Sequence, residues 1–208
     1  MGRLILLNGP PASGKSTLAA RFVDTHPLAL NLDIDAVRGM LGGWITQPTD
    51  AGLLARAMAK TMASTVLDAG HDVIVPQFLG RRQFVVDLET VADASGAEFV
   101  EVALLATRQQ MRLWFVERST SAIVTATQRD AQLLVDRPGG WEALDEMYDD
   151  FVELVRSRPR TRTIPARDGD TDDSYRRLER ALAGDHGSVS SMTGRCNLPE
   201  RSAHEESP

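Results

Sequence analysis

The sequence predicts an α/β fold of three layers, in which a mainly parallel sheet lies between two layers of helices. Apolar runs of strand length alternate with longer segments of helical periodicity along residues 3–183. Such alternation is typical of crossover units, which make consecutive strands parallel and cover both faces of the sheet. The chain has 208 residues, of which 42% are hydrophobic and 25% charged, and one domain of this length buries a full core.

The first 70 residues contain two predicted strands and two predicted helices. An apolar run at residues 3–8 predicts a buried strand, and Leu18, Phe22 and Val23 have helical spacing within residues 15–25. A second apolar run predicts a strand at residues 28–32. The Ala-, Leu- and Met-rich residues 50–69 predict a helix, which Gly70 ends in the position that favours a left-handed residue.

The rest of the chain continues the alternation. Apolar runs predict strands at 72–77, 98–105 and 161–166, and helical patterns occupy 82–95, 108–118, 141–156 and 171–183. Between residues 119 and 140 the pattern loosens and ends in Arg-Pro-Gly-Gly, which indicates a small irregular lid. We therefore expect one domain over residues 1–183, followed by a disordered polar tail over 184–208.

Composition excludes several classes of protein. The formal net charge is −6, so no general basic field attracts nucleic acid, and we expect no nucleic-acid partner, although an enzyme that acts on a nucleotide end stays open. The single cysteine, Cys196, lies in the polar tail and supports neither a disulfide framework nor a cysteine metal site. No apolar run is long enough for a membrane span, and the N-terminus is unlike a signal peptide. We expect a cytoplasmic protein, and the sequence leaves its oligomeric state undetermined.

The turn after the first strand carries the most specific motif. It fits the pattern G-x-x-x-x-G-K-[ST], in which glycines let successive backbone N–H groups point into one phosphate site. We expect Lys15 to reach the β- and γ-phosphates and the hydroxyl of Ser16 to bind Mg²⁺. The residues predicted to bind the nucleotide here are Gly9, Pro10, Pro11, Ala12, Ser13, Gly14, Lys15, Ser16 and Thr17.

Two carboxylates follow the second predicted strand, in Asn-Leu-Asp-Ile-Asp-Ala-Val-Arg at residues 31–38. Ligands of parallel α/β folds gather at the carboxyl ends of the strands. Asp33 and Asp35 should therefore face the bound phosphate, on one side of an extended chain. We predict that Asp33 binds the metal and the acceptor, that Asp35 takes the proton of an attacking hydroxyl, and that Arg38 grips the acceptor. In the alternative interpretation, Asp35 caps a helix and Arg38 is its first-turn partner.

These motifs resemble those of small P-loop kinases that phosphorylate hydroxyl groups. The Asp-x-Asp spacing is similar to that of shikimate kinases, where the first Asp assists the metal and the second holds the acceptor. The pair Asp35-x-x-Arg38 resembles that of phage-type polynucleotide kinases, where the Asp is the general base. The turn Gln77-Phe78-Leu79-Gly80 resembles one in chloramphenicol phosphotransferases. The resemblance implies a P-loop NTPase fold of the nucleoside-monophosphate-kinase type.

One feature departs from the resemblance. Many P-loop enzymes end a later strand with an Asp that binds the metal through water, whereas residues 72–77 end in Pro76-Gln77. Asp33 would have to take that metal role here. Gln77 is predicted to contact the acceptor or the γ-phosphate, with a structural role as the alternative.

Arginines are expected around the transferring phosphoryl group, because its charge needs compensation. The resemblance implies an arginine near the start of the lid, and Arg118 is the best positional match, followed by Arg112 and Arg129. It also implies that Arg167, in the turn after the last strand, stacks on the adenine. The alternative for each is an ordinary surface arginine.

The acceptor pocket is expected between the end of the second strand, Trp44 and the helix at 50–69. Apolar residues in this region either belong to the core, as helix-spaced apolar residues usually do, or line the pocket. They are Met40, Leu41, Leu54, Met58 and Met62.

The sequence thus predicts a kinase that uses ATP and Mg²⁺ to phosphorylate a hydroxyl of a small molecule, by analogy an antibiotic or related metabolite. One alternative is a polynucleotide 5′-hydroxyl kinase, which would want a basic channel near Arg38, Arg81 and Arg82. Another is a regulatory nucleotide-binding protein that hydrolyses slowly and needs neither acceptor pocket nor base. The sequence contains no Asn-Lys-x-Asp motif for reading guanine, and the choice between ATP and GTP stays open.

Overall fold

The computed structural model describes residues 1–119, 139–166 and 170–184. The strands are β1 (Arg3–Asn8), β2 (Leu30–Asn31), β3 (Val73–Gln77), β4 (Glu98–Leu105) and β5 (Arg162–Pro165). The helices are α1 (Lys15–Thr25), α2 (Ile34–Gly39), α3 (Pro48–Asp68), α4 (Arg82–Ala94), α5 (Arg108–Ser119), α6 (Gly140–Arg156) and α7 (Thr171–Leu182). Of the predicted lid over residues 119–140, positions 120–138 lie outside the described residues, and so does the predicted tail from residue 185 onward. Among the described residues, no helix combines the length and apolarity needed to span a bilayer.

All strand pairs are parallel, and the sheet order is β2-β3-β1-β4-β5. β1 is central because its apolar run is buried on both faces. Leu4 and Leu6 pack with α2, α3 and α4 on one face, which we call the α3 face. Ile5 and Leu7 pack with α1 and α7 on the other. The predicted three-layer α/β/α class is therefore confirmed.

A third apolar cluster joins the helices that flank the predicted lid. Met111 and Phe115 of α5 pack against Leu144, Tyr148 and Phe151 of α6. Ala103 of β4 lies beneath them. The helices on either side of the predicted lid thus pack on each other and on β4.

The end of α3 confirms the predicted glycine stop. Gly70 has φ +86, and its N–H donates to the Leu67 carbonyl at 2.8 Å while the His71 N–H donates to Val66 at 3.1 Å. This is the hydrogen-bond pair of a Schellman motif, which favours glycine because of its positive φ. The helix begins at Pro48 rather than residue 50, because proline suits the first helical position.

The segment around β2 differs most from the prediction. The sequence predicts the second strand over 28–32, but it spans only Leu30–Asn31, and a helix at this position is part of the prediction only in the alternative in which Asp35 is the N-cap. The side chain of Asp33 caps α2, which turns the chain into a helix immediately after Leu32. A helix of 6 residues is too short for its periodicity to be read from the sequence.

A buried ion cluster ties α4, β4 and the end of α6 together. Nε of Arg158 donates to Glu101 Oε2 at 2.5 Å and its Nη2 to Glu89 Oε1 at 2.5 Å. The side chains of Arg158 and Glu101 are 11% and 4% exposed. Burial lowers the pKa of Arg158, but the hydrogen bonds to both carboxylates outweigh it and the pKa is raised.

Candidate active site

The turn between β1 and α1 forms a narrow loop that we call the cradle, residues 9–16. A Cβ on Gly9 would lie 2.9 Å from the Cβ of Leu104, so no side chain fits there. Gly14 is the N-cap of α1 with φ 89 and ψ 2, a left-handed conformation that favours glycine. The Ser13 N–H donates to the Pro10 carbonyl at 3.3 Å, which closes the loop.

The cradle presents positive charge to an anion. The first N–H groups of a helix have no intrahelical acceptor and carry the positive end of its dipole. The first turn of α1 contains no acidic residue, and Ser16 and Thr17 are exposed there. Nζ of Lys15 donates to the Pro10 carbonyl at 2.7 Å, so its ammonium lies over the loop. Such a site fits phosphate groups.

The two carboxylates after β2 have different positions. Oδ1 of Asp33 accepts the N–H groups of Asp35 at 2.9 Å and of Ala36 at 3.2 Å, so Asp33 is the N-cap of α2. The expectation of an extended chain with both side chains on one side is therefore wrong, because Asp35 already lies in the first helical turn. The capping alternative also named the wrong residue.

Arg38 is held by a carboxylate and an aromatic ring. Its Nη2 donates to Asp35 Oδ1 at 2.9 Å, and both side chains are largely buried, at 16% and 25% exposure. Its guanidinium lies 5.3 Å from the centre of the Trp44 ring, a cation–π distance. The structure thus brings together Asp35, Arg38 and Trp44, three of the residues predicted to bind the acceptor.

The apolar residues predicted near Trp44 divide into two groups. Met40 is 74% exposed, Leu54 is 52% exposed and Met62 is 37% exposed, so the core interpretation is wrong for these three. Met58 packs against the core of the α3 face. Leu41 is half-buried.

The turn after β3 lies against the cradle. The Gly9 N–H donates to the Gln77 carbonyl at 3.2 Å. Oε1 of Gln77 is buried and has no hydrogen-bond partner among the described residues. Asn8, which is not among the predicted site residues, is completely buried, and its side chain forms hydrogen bonds with both the N–H and the carbonyl of Leu79. A polar residue that ends an otherwise apolar strand, next to a glycine-rich turn, is the signal that could have identified it.

The arginines near the lid are only partly within the described residues. Arg112 donates through Nε to Asp145 Oδ1 at 3.1 Å, and this hydrogen bonding raises its pKa against the opposing effect of burial. The backbone of Arg118 lies in α5, but its side chain, like Arg129 and Arg167, falls outside the described residues. The predicted roles of these arginines remain predictions.

The oxygen donors present fit a magnesium ion. Mg²⁺ uses few protein ligands, because it keeps several waters and binds substrate phosphates. No group of three His, Cys, Asp or Glu side chains that could hold a metal occurs in the described ranges. The Ser16 hydroxyl is exposed beside the cradle, and the cap at Asp33 uses Oδ1. Ser16 and Asp33 can therefore supply one oxygen each.

Comparison with known proteins agrees with this geometry. Residues 4–137, more than half of the chain, match the family described as an AAA domain. No curated protein matches the sequence. The fold is similar to that of a putative kinase from Chloroflexus aurantiacus j-10-fl, at 15% identity over 88% of this chain and 97% of that one, with a TM-score of 0.59.

Two further solved structures share the fold. Kti12 from Chaetomium thermophilum, in complex with ADP-AlF3, is 16% identical over 86% of this chain and 97% of its own, with a TM-score of 0.59. Shikimate kinase from Acinetobacter baumannii, in complex with shikimate, is 14% identical over 88% of this chain and 94% of its own, with a TM-score of 0.56. The predicted likeness to small P-loop kinases is confirmed, and these similarities extend to the fold alone.

Proposed function

This chain belongs to the AAA domain family, and we propose that it is an ATP-dependent kinase that phosphorylates a hydroxyl group of a small molecule. The observation that carries the proposal is the Asp35–Arg38 pair at the start of α2. The pair follows β2 and the cradle follows β1, so both lie at the carboxyl ends of the parallel strands. A phosphate site with a carboxylate at the same edge is what phosphoryl transfer to a hydroxyl requires.

The cradle and Asp35 have different roles in the proposed phosphoryl transfer. Lys15 and the N–H groups of the cradle bind the phosphates of ATP, together with Gly9, Ser13 and Thr17. The acceptor oxygen forms a bond to the γ-phosphorus as the bond to the β-γ bridging oxygen breaks. Asp35 accepts the hydroxyl proton, or orients the hydroxyl where the transition state is loose. The products are the phosphate ester and ADP.

Mg²⁺ would be held by Ser16 and Asp33. When bound, the ion neutralises charge on the β- and γ-phosphates. Among the other residues, Arg118 is proposed to contact the phosphates and Arg167 the adenine. Both assignments rest on position in the sequence and on the resemblance to P-loop kinases.

The acceptor is proposed to bind between α2 and α3. Arg38, Trp44 and Gln77 would contact it, and the exposed apolar side chains of Met40 and Leu54 suit an acceptor with an apolar portion, such as an antibiotic. A polynucleotide would instead need phosphate-binding cations. The formal net charge of the chain is −6, which favours the small-molecule acceptor.

The proposal is tested by a transfer screen with ATP labelled at the γ-phosphate and Mg²⁺. Hydroxylated antibiotics, sugars and nucleosides are compared with an oligonucleotide that has a 5′-hydroxyl, and the Lys15→Ala variant is the matched control. A labelled small molecule that depends on Lys15 supports the proposal. A labelled oligonucleotide favours a polynucleotide kinase, and release of free phosphate with every acceptor favours a regulatory ATPase.

A further inference from the structure

Asn8 makes an unusual pair of hydrogen bonds at the end of β1. Its Nδ2 donates to the Leu79 carbonyl at 3.1 Å, and its Oδ1 accepts the Leu79 N–H at 2.9 Å. The side chain is 0% exposed. Both polar groups of one buried amide are therefore used on the backbone of one residue, in the turn after β3.

These bonds attach the β3 turn to the start of the cradle. Asn8 is paired with Gln77 in the β1–β3 register, and the next residue, Gly9, donates to the Gln77 carbonyl at 3.2 Å. The turn is also closed from behind, since a Cβ on Gly80 would lie 2.5 Å from the Cβ of Asp150 in α6. The position of the turn relative to the cradle is thus determined from two sides.

The side chain of Gln77 points to the face of the sheet that carries Asp35. Alternation places it on the same face as Val73 and Val75, which pack on the α3 face with Ile34 and Val37 of α2. Its Oε1 is buried and has no hydrogen-bond partner among the described residues. A buried carbonyl oxygen needs a donor, which a hydroxyl or a water that reaches it can supply, whereas a phosphate oxygen cannot.

We propose that Asn8 is a positioning residue that holds the Gln77 amide beside the terminal phosphoryl group. Gln77 Oε1 then accepts a hydrogen bond from the attacking hydroxyl or water, and Asn8 sets where that oxygen lies. The inference rests on the proposed function, because it requires a nucleotide in the cradle.

The test compares two sets of hydrogen bonds, which we call clamps, that join β1 to the two ends of β3. Asn8→Leu removes the clamp at the carboxyl end. Asp72→Leu removes the clamp at the amino end. There the carboxylate of Asp72 accepts hydrogen bonds from the backbone N–H of Arg3 at 2.8 Å and from the Nη2 of the Arg3 side chain at 2.5 Å. Binding of MgADP is measured with and without aluminium fluoride, which mimics the transferring phosphoryl group, and melting temperatures are recorded for each full-length variant.

We expect Asn8→Leu to bind MgADP with an affinity within about threefold of that of the wild type. The increase in affinity on adding aluminium fluoride should be about tenfold smaller than in the wild type, since one hydrogen bond between uncharged groups is lost. Gln77→Leu should show the same loss, and the double variant no more than either single one. Asp72→Leu should lower the melting temperature without this loss. Asn8→Asp, which keeps an oxygen for the Leu79 N–H, replaces Asn8→Leu if that variant does not fold.

Other outcomes overturn the inference. Equal losses in Asn8→Leu and Asp72→Leu would make the effect one of stability, and additive losses in the double variant would separate Asn8 from Gln77. A wild-type chain that binds MgADP without any gain from aluminium fluoride also contradicts it. A wild-type chain that does not bind MgADP contradicts the proposed function instead, so the two failures are distinguishable.

Discussion

Replacing Gly80 with alanine tests how closely the β3 turn packs on α6. The added Cβ would lie 2.5 Å from the Cβ of Asp150 and 3.2 Å from the backbone nitrogen of Phe151. Carbon atoms in contact prefer about 3.5–4.0 Å, so the helix backbone must move by roughly 1 Å. Overpacking of this kind costs about 1–3 kcal/mol. For a domain of this size that corresponds to a melting temperature lower by about 2–12 °C.

The matched control is Gly52→Ala in α3. A Cβ at Gly52 meets nothing within 4 Å, and alanine within a helix is favoured over glycine by about 0.5–1 kcal/mol. The same substitution should therefore destabilise at Gly80 and stabilise at Gly52, as measured by thermal and urea unfolding. A Gly80→Ala variant as stable as the wild type would refute the close contact and the enclosure of the turn from behind.

Three other substitutions have defined outcomes. Lys15→Ala should lower the transfer rate about 100- to 1,000-fold, because it removes a cation from the phosphates; unchanged turnover would contradict the cradle assignment. Asp35→Asn should bind MgATP within about threefold of the wild type and lose about 10²- to 10⁴-fold in transfer to the acceptor found in the screen; full activity would exclude Asp35 as the base. Arg158→Met should lower the free energy of unfolding by about 3–5 kcal/mol, since it leaves Glu101 buried without its cation. Urea unfolding measures that loss, and a change below about 1 kcal/mol would contradict the buried cluster.

The parts of the site that depend on neighbouring residues were predictable. The cradle follows from a motif in which each position has a local reason, and the end of α3 follows from one glycine. The sheet follows from the alternation of apolar runs and helical patterns, which leaves few alternatives for parallel strands.

The parts that depend on distant residues were not predictable. Whether Asp33 or Asp35 caps α2 depends on where β2 stops, and that is decided by the pairing of Leu30 and Asn31 with β3. The Asn8 clamp joins residues that are 71 positions apart. A sequence motif cannot report such a contact, because it depends on the register between two strands.

The central position of β1 has a consequence for the order in which the protein is made. Leu4 pairs with Val73, and Arg3 pairs with Glu98. At translation rates of about 5–20 residues per second, the first strand waits roughly 5–20 s for both of its neighbours to be synthesised. During that time an apolar strand with two open edges is available to chaperones and to other chains. β1 is made before both of its neighbours and is enclosed late, and the packing of Gly9 against Leu104 cannot form until β4 has emerged.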